Sequence, residues 1–333
     1  MGIKLSELVP KRSLDFADLT HKKIAVDSSN MLYQFLSSIR QADGTPLMDS
    51  RGNITSHLMG ILTRVTNLMQ RDIKLAFVFD GKPPALKFRT QQDRNSIKES
   101  AEEKRRQAEE DNDVSEQLKF AKQTTRLTME MCEESKELLL ALGLPVIQAK
   151  SEAEAQAAFL CKRGSVWAVA SSDFDNLVYG APRMIQSLTL SDKRRTPSGY
   201  VMITPSIIYL QDLLKELDLT QEQLLTLAIL VGTDYNPGGV KGIGPKKALK
   251  LVKENATPEE VFKKIPIEFD WKEIRDTFRN MPVEDVDLEW KPINEKKVYK
   301  ILVDDYNFNA ERVQKVLEKL TKKGSDQRTL GDF

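Results

Sequence analysis

The chain has 333 residues, 40% hydrophobic and 30% charged, with a net charge of +1. That balance suits a globular protein with one large core or two modest ones, and it leaves any contact with a polyanion to local clusters of charge. Two cysteines, Cys132 and Cys161, and two histidines exclude a disulfide scaffold and a Cys/His zinc centre, and no apolar run is long enough to span a bilayer.

The opening MGIKLSELVP lacks the apolar core of a signal peptide. Its Met1-Gly2 with Ser6 fits the loose pattern for N-myristoylation. Further along, five short segments rich in Val, Ile, Phe and Ala read as buried strands: 22–27, 73–80, 145–148, 165–171 and 184–188. Helical patterns separate them, at SSNMLYQFLSSIR, HLMGILTRVTNLMQR, MEMCEESKELLLAL, SEAEAQAAFLCKR and from 205 to 231. Strands alternating with helices predict an α/β fold, a mostly parallel twisted sheet flanked by helices. Residues 86–126 are densely charged with almost no large apolar residues, so they predict a solvated helix, a mobile arm, or both. Beyond 255 come charged helical pieces broken by Pro258, Pro266, Pro282 and Pro292. The end, TKKGSDQRTLGDF, reads as a linker and a short motif.

Acidic residues recur at strand ends. Asp27 closes 22–27, Asp80 closes 73–80, and Asp173 and Asp175 follow 165–171 in SSDFD. In an open parallel sheet, ligands bind beyond the carboxyl ends of the strands, so these side chains gather on one edge. A single such aspartate is usually a turn or helix cap. Three strand ends in a protein nearly free of histidine point instead to oxygen-only coordination of Mg²⁺ or Mn²⁺, as phosphoryl-transfer chemistry requires. Ser151-Glu152-Ala153-Glu154 opens a helix after 145–148. It reads either as a capping box, Ser151 with Glu154, or as two further carboxylates at the same edge. Asp234, in LVGTDYNPGG after a helix, is a metal ligand or merely a turn residue.

The stretch 238–251, GGVKGIGPKKALKL, predicts a helix-hairpin-helix. Gly242 and Gly244 permit a tight turn, and Pro245 suits the first turn of the next helix. Amides there could hold a phosphate beside Lys241, Lys246, Lys247 and Lys250. A plain turn with solvated lysines is the alternative.

The blocks VDSSNMLYQFL, SHLMG, VFDGKPPALK, KSEAEAQAAFL, SSDFDNLVYG, LVGTDY and GIGPKKA, in this order, resemble the flap endonuclease family of the five-prime nuclease superfamily, most closely in its archaeal form. The resemblance runs from Gly2 to the last residue. It implies an N-terminal nuclease region at 1–98, a charged helical arch at 86–130 and an internal nuclease region at 116–258. A C-terminal helical segment and linker at 259–324 and a tail at 325–333 that binds a sliding clamp complete the order. The implied activity is two-metal hydrolysis that removes 5′ flaps from branched DNA in replication and repair (Okazaki fragment maturation, long-patch base excision repair), with 5′-3′ exonuclease activity.

Carried over, the metal ligands are Asp27, Asp80, Glu152, Glu154, Asp173, Asp175 and Asp234. Asp80, Glu152 and Glu154 serve one Mg²⁺, Asp173, Asp175 and Asp234 the other, with Asp173 between the two, and Asp27 acts through water; Mn²⁺ can substitute. Lys87 and Arg94 match the basic pair near the scissile phosphate, and Tyr33 the residue on which the adjoining base stacks. Arg40, Arg64, Gly232 and Gly2 match DNA contacts, which sets Gly2 against myristoylation. Gln327, Leu330 and Phe333 match the clamp-binding peptide, although one phenylalanine ends a motif that commonly carries two aromatics. The double glycine Gly238-Gly239 departs from the usual hairpin and bears on its potassium site. The resemblance also implies an intracellular monomer, cytoplasmic and nucleoid-associated if the source is a prokaryote. The alternative within the family is an endonuclease for bubbles or four-way junctions, but a bubble-cutting relative usually carries a much longer insertion between the nuclease regions. A non-catalytic scaffold would have lost carboxylates that are all kept here.

Overall fold

A computed structural model describes residues 3, 5–41, 43–88, 90, 126–188, 193–196 and 199–326. Seven strands form one mixed sheet: β1 (Arg12–Ser13), β2 (Lys23–Asp27), β3 (Lys74–Phe79), β4 (Val146–Gln148), β5 (Ala168–Ala170), β6 (Arg183–Gln186) and β9 (Ser206–Tyr209). Their spatial order is β1-β9-β6-β5-β2-β3-β4, while β7 (Lys193–Thr196) and β8 (Gly199–Met202) pair as a separate hairpin. From β6 through β5, β2 and β3 to β4 every pairing is parallel. The carboxyl ends of these five strands therefore share one edge. Residues before and after 91–125 contribute to the same sheet, so the two halves of the chain build one unit.

The period of two in a strand decides what each face packs. Ile24, Val26, Leu75 and Phe77 face a core with Leu32, Phe35, Leu58 and Ile61. Ala25, Ala76 and Val78 face Ala153, Ala157 and Ala158, and these small side chains let helix Ala153–Lys162 lie close on the sheet. A third cluster gathers Leu224, Leu227 and Leu230 with Ala248, Val252, Phe262 and Trp271, and it also buries Ile3 and Leu5.

Four sequence expectations change. The stretch from 205 starts as a strand, because Ile207 and Ile208 pair with Ile185 and Met184. Helices Leu210–Leu217 and Gln221–Val231 follow, separated at Asp218, whose φ of 52° is left-handed. A short apolar run such as SIIYL fits either period, and only the neighbouring strand decides. The helix over 57–71 contains a π-helical turn, Ile61–Val65. Its Thr63 and Thr66 hydroxyls donate to the Met59 and Leu62 carbonyls. Pro258 opens helix Pro258–Lys263 instead of breaking one, since it sits where no amide donor is needed. Finally, TKKGSD is no linker: helix Ala310–Asp326 runs through it, held by Val313, Leu317 and Leu320 in the core. Among the described residues no helix is long and apolar enough to cross a membrane.

Candidate active site

Asp27 ends β2 and caps helix Ser28–Ser38, its Oδ1 accepting from the Asn30 amide at 3.0 Å. Its Oδ2 accepts from the Ser171 hydroxyl at 3.0 Å, which ties the ends of β2 and β5 together. The Ser171 oxygen in turn accepts from the Asp173 amide at 3.1 Å. Asp80 follows β3 and uses both oxygens, accepting from Ser29 at 2.5 Å and from the Ala153 amide at 2.9 Å. The capping box expected at Ser151 is therefore not formed. Glu152 is the N-cap of helix Ala153–Lys162 and makes no capping bond, while Ser151 donates to the Lys82 carbonyl. Asp80 supplies the acceptor that the helix terminus needs, which leaves Glu152 and Glu154 for other partners.

Gly81 makes this junction possible. A Cβ there would stand 2.1 Å from the Ala149 carbonyl oxygen, so only glycine lets the Asp80 loop cross the Glu152 loop.

Asp175 opens the short helix Asp175–Val178 two residues after Asp173. Asp234 comes from further away, in the turn after helix Gln221–Val231. Gly232 leaves that helix with φ of 112°, and a Cβ on it would lie 2.6 Å from the Gly239 amide. The turn is closed by Asn236, which accepts from the Thr233 hydroxyl at 2.7 Å and donates to the Ile229 carbonyl at 2.7 Å. The Tyr235 and Tyr179 hydroxyls, 2.9 Å apart, join the turn to the Asp175 helix.

Oxygens of Glu154, Asp173 and Asp175 lie within 4.8 Å of one another. This trio crosses the two ligand sets that the resemblance implies, with Glu154 reaching from one to the other. Lys87 stands against the remaining pair, its ammonium donating to Glu152 and lying 3.3 Å from Asp234. Burial opposes that charge, and Glu152, Glu154 and Asp234 outweigh it, raising the lysine pKa.

The carboxylates show the cost of crowding. Burial, then the charge of Asp80, lifts Asp27 to about 7. Burial followed by Asp173 raises Glu154 and Asp175 well above the carboxylate range, and burial followed by Asp234 raises Asp173. Glu152 is also raised despite its bond to Lys87, because burial and the charges of Asp80 and Asp234 prevail. Asp175 Oδ1 is buried and accepts no hydrogen bond among the described residues. An acceptor-only cluster with an orphaned buried oxygen fits a hard divalent cation, which supplies the missing positive charge.

These shifts predict a pH-dependent effect of metal. A carboxylate with a raised folded pKa binds its proton more tightly in the folded state. Its stabilising contribution is complete below the unfolded value, 3.8 for Asp27, and is lost as pH rises through about 7. A cation that pairs with the ionised cluster reverses the loss. The melting temperature in EDTA should therefore fall between pH 5 and 8, and the increment from Mg²⁺ should grow over the same interval. An increment independent of pH would mean that the cluster is not where Mg²⁺ acts.

The other anticipated residues surround this centre in part. Tyr33 is exposed on the helix that Asp27 caps. The Arg64 guanidinium lies 5.3 Å from the Phe35 ring and donates to Ser38, and Arg40 donates to the Gly44 carbonyl at 2.8 Å. Lys241, Lys246 and Lys247 are exposed around a turn in which Gly242 has φ of 78° and Gly244 caps helix Pro245–Lys253. Gly2, Arg94, Gln327, Leu330 and Phe333 lie outside the described residues. Sequence reasoning missed Ser29, Gly81, Thr90 and Ser171. The last was legible as the serine beside Asp173, and Gly81 as the glycine directly after Asp80.

The XPG N-terminal domain matches residues 1–101 and the XPG I-region residues 143–234. Flap endonuclease 1 of Pyrococcus furiosus is 47% identical over 99% of this chain and 98% of its own length. The Hyperthermus butylicus flap endonuclease 1 is also 47% identical, over 97% of this chain and 95% of its own. This chain belongs to the flap endonuclease 1 family. The solved flap endonuclease-1 of Methanococcus jannaschii covers 98% of this chain and all of its own, with TM-score 0.78 and 40% identity. The catalytic core of Rad2 in complex with DNA substrate shares the fold, with TM-score 0.71 at 23% identity over 96% of this chain and all of its own. This chain is a nuclease, and the cluster of Glu154, Asp173 and Asp175 at its acidic edge can hold a metal ion.

Proposed function

We propose that this flap endonuclease cuts branched DNA at the base of a 5′ flap in replication and repair, using two Mg²⁺ ions held by Asp80, Glu152, Glu154, Asp173, Asp175 and Asp234, with Asp27 acting through water. The observation that carries the reading is the convergence of seven carboxylates from four adjacent strand ends and the Asp234 turn, with an orphaned acceptor among them. Bound divalent ions supply water activation and neutralise charge at the phosphate. The chain's own groups do the rest. Lys87 can donate to the phosphate from within the cluster, and the resemblance gives Arg94, outside the described residues, the same role. Exposed Tyr33 offers a face for the adjoining base, and Arg40 and Arg64 contact the DNA. Mn²⁺ can replace Mg²⁺, since the site is all oxygen.

The hairpin at 238–251 holds duplex on one side of the junction through Lys241, Lys246, Lys247 and the amides at Gly242 and Gly244. Both glycines of Gly238-Gly239 are left-handed, a conformation that suits a turn whose carbonyls could hold K⁺. Cleavage of flap, nicked, bubble and four-way substrates with and without Mg²⁺ tests the assignment. Preference for a bubble or four-way junction would overturn it.

Gln327, Leu330 and Phe333 recur at a spacing of three in the sequence, the spacing at which a 3₁₀-like turn formed against a partner would bring the two apolar side chains to one side. The tail binds a sliding clamp in this reading, raising local concentration at junctions without touching the chemistry. Deleting 327–333 should leave cleavage of free flaps intact and remove stimulation by a clamp loaded on the same DNA. Full stimulation of the shortened protein would place the docking surface elsewhere.

A further inference from the structure

We propose that Thr90 is a positioning residue for cleavage, its hydroxyl fastening the turn that carries Lys87 onto the Asp234 loop; the proposal rests on the nuclease reading above. Lys87, Phe88 and Thr90 are helical, so Lys87 and Thr90 share one face a turn apart. Both reach the same residue. Thr90 Oγ1 donates to the Asp234 main-chain carbonyl at 2.5 Å, and the Lys87 ammonium stands 3.3 Å from the Asp234 carboxylate. Thr90 is 5% exposed although most threonines stay at the surface. A polar group is buried at little cost only where it finds a partner, and here the partner belongs to a proposed metal ligand.

The geometry explains what the bond does. The Asp234 turn is held on its far side by Asn236 and by the Tyr235–Tyr179 pair. Those contacts fix it to helix Gln221–Val231 and to the Asp175 helix. Thr90 ties it instead to the segment leaving β3, ten residues after Asp80. The hydroxyl thereby sets the distance between Asp234 and the Asp80–Glu152–Lys87 side of the cluster, without itself touching substrate. Small displacements of reacting groups are costly because the rate depends steeply on their alignment.

Valine has the shape of threonine and no donor, so Thr90→Val leaves the Asp234 carbonyl buried without this bond. Thr90→Ser keeps the hydroxyl. Single-turnover cleavage of bound flap DNA in Mg²⁺ should be about tenfold slower for T90V and within about twofold of wild type for T90S. DNA affinity in Ca²⁺ should be unchanged in both, whereas titration calorimetry should show Mn²⁺ bound several-fold more weakly by DNA-free T90V. A T90V rate within about twofold of wild type, or a T90S rate as low as that of T90V, overturns the proposal. Should T90V fail to fold, T90S and Thr90→Ala replace it as the test pair, and equal rates for the two overturn it. A wild-type protein inactive on flaps would sink the flap-cutting reading alone, since the Mn²⁺ titration still reads the Thr90 bond.

Discussion

Replacing Asp173 with alanine is expected to slow flap cleavage by about 10³-fold while flap binding in Ca²⁺ stays close to wild type. The magnitude follows from the several kcal/mol that a correctly held cation contributes to an in-line displacement, at 1.36 kcal/mol for each tenfold in rate. Asp173 is singled out within this trio because its charge is the largest one acting on both Glu154 and Asp175. The same crowding predicts an effect of opposite sign on stability. In EDTA at pH 8, D173A should melt higher than wild type, because one of the mutually repelling, crowded carboxylates is gone. Adding Mg²⁺ should then raise the melting temperature of wild type more than that of D173A. Near-normal cleavage by the variant would remove Asp173 from the reaction. A lower melting point in EDTA would mean that it holds the fold together rather than straining it.

Lys87→Ala should reduce single-turnover cleavage of bound flap by about 10²–10³-fold, the range for donors aimed at charge that develops in the transition state. Lys87 is placed for this role, since its ammonium lies against Glu152 and Asp234 and can reach whatever oxygen enters between them. A second consequence separates it from a simple DNA contact. The ammonium offsets carboxylate charge in the metal-free protein, so K87A should lose stability in EDTA at neutral pH and recover much of it in Mg²⁺. Lysine and arginine are not interchangeable at such a point contact, and Lys87→Arg should restore the stability but only part of the rate. An unchanged rate with weaker DNA binding would assign Lys87 to the ground state.

Much of this site is legible in one dimension because β-strands end abruptly and parallel strands end together. Asp27, Asp80, Asp173 and Asp175 follow buried apolar runs, and a parallel arrangement of those runs brings their ends to one edge whatever the order of strands. The buried strands themselves show in the Val, Ile, Phe and Ala runs, and the turn at Gly242 to Pro245 in its residue types. These features depend on neighbours within a few residues, so the chain carries them locally.

What required the tertiary structure involves partners far apart in the chain. Ser206–Tyr209 becomes a strand because β6 offers it a free edge, whereas its own apolar pattern suits a helix equally well. Ser151 gives up its cap because Asp80, 73 residues from Ala153, occupies the helix terminus first. Thr90 and Asp234 are 144 residues apart and meet through one buried hydrogen bond. Lys87 among the carboxylates, and Glu154 reaching across the two ligand sets, are likewise consequences of how loops from different strands cross. A hydrogen bond or ion pair between distant segments leaves no periodicity in the sequence, since each partner alone is an ordinary polar residue, and only the folded chain brings the two within reach.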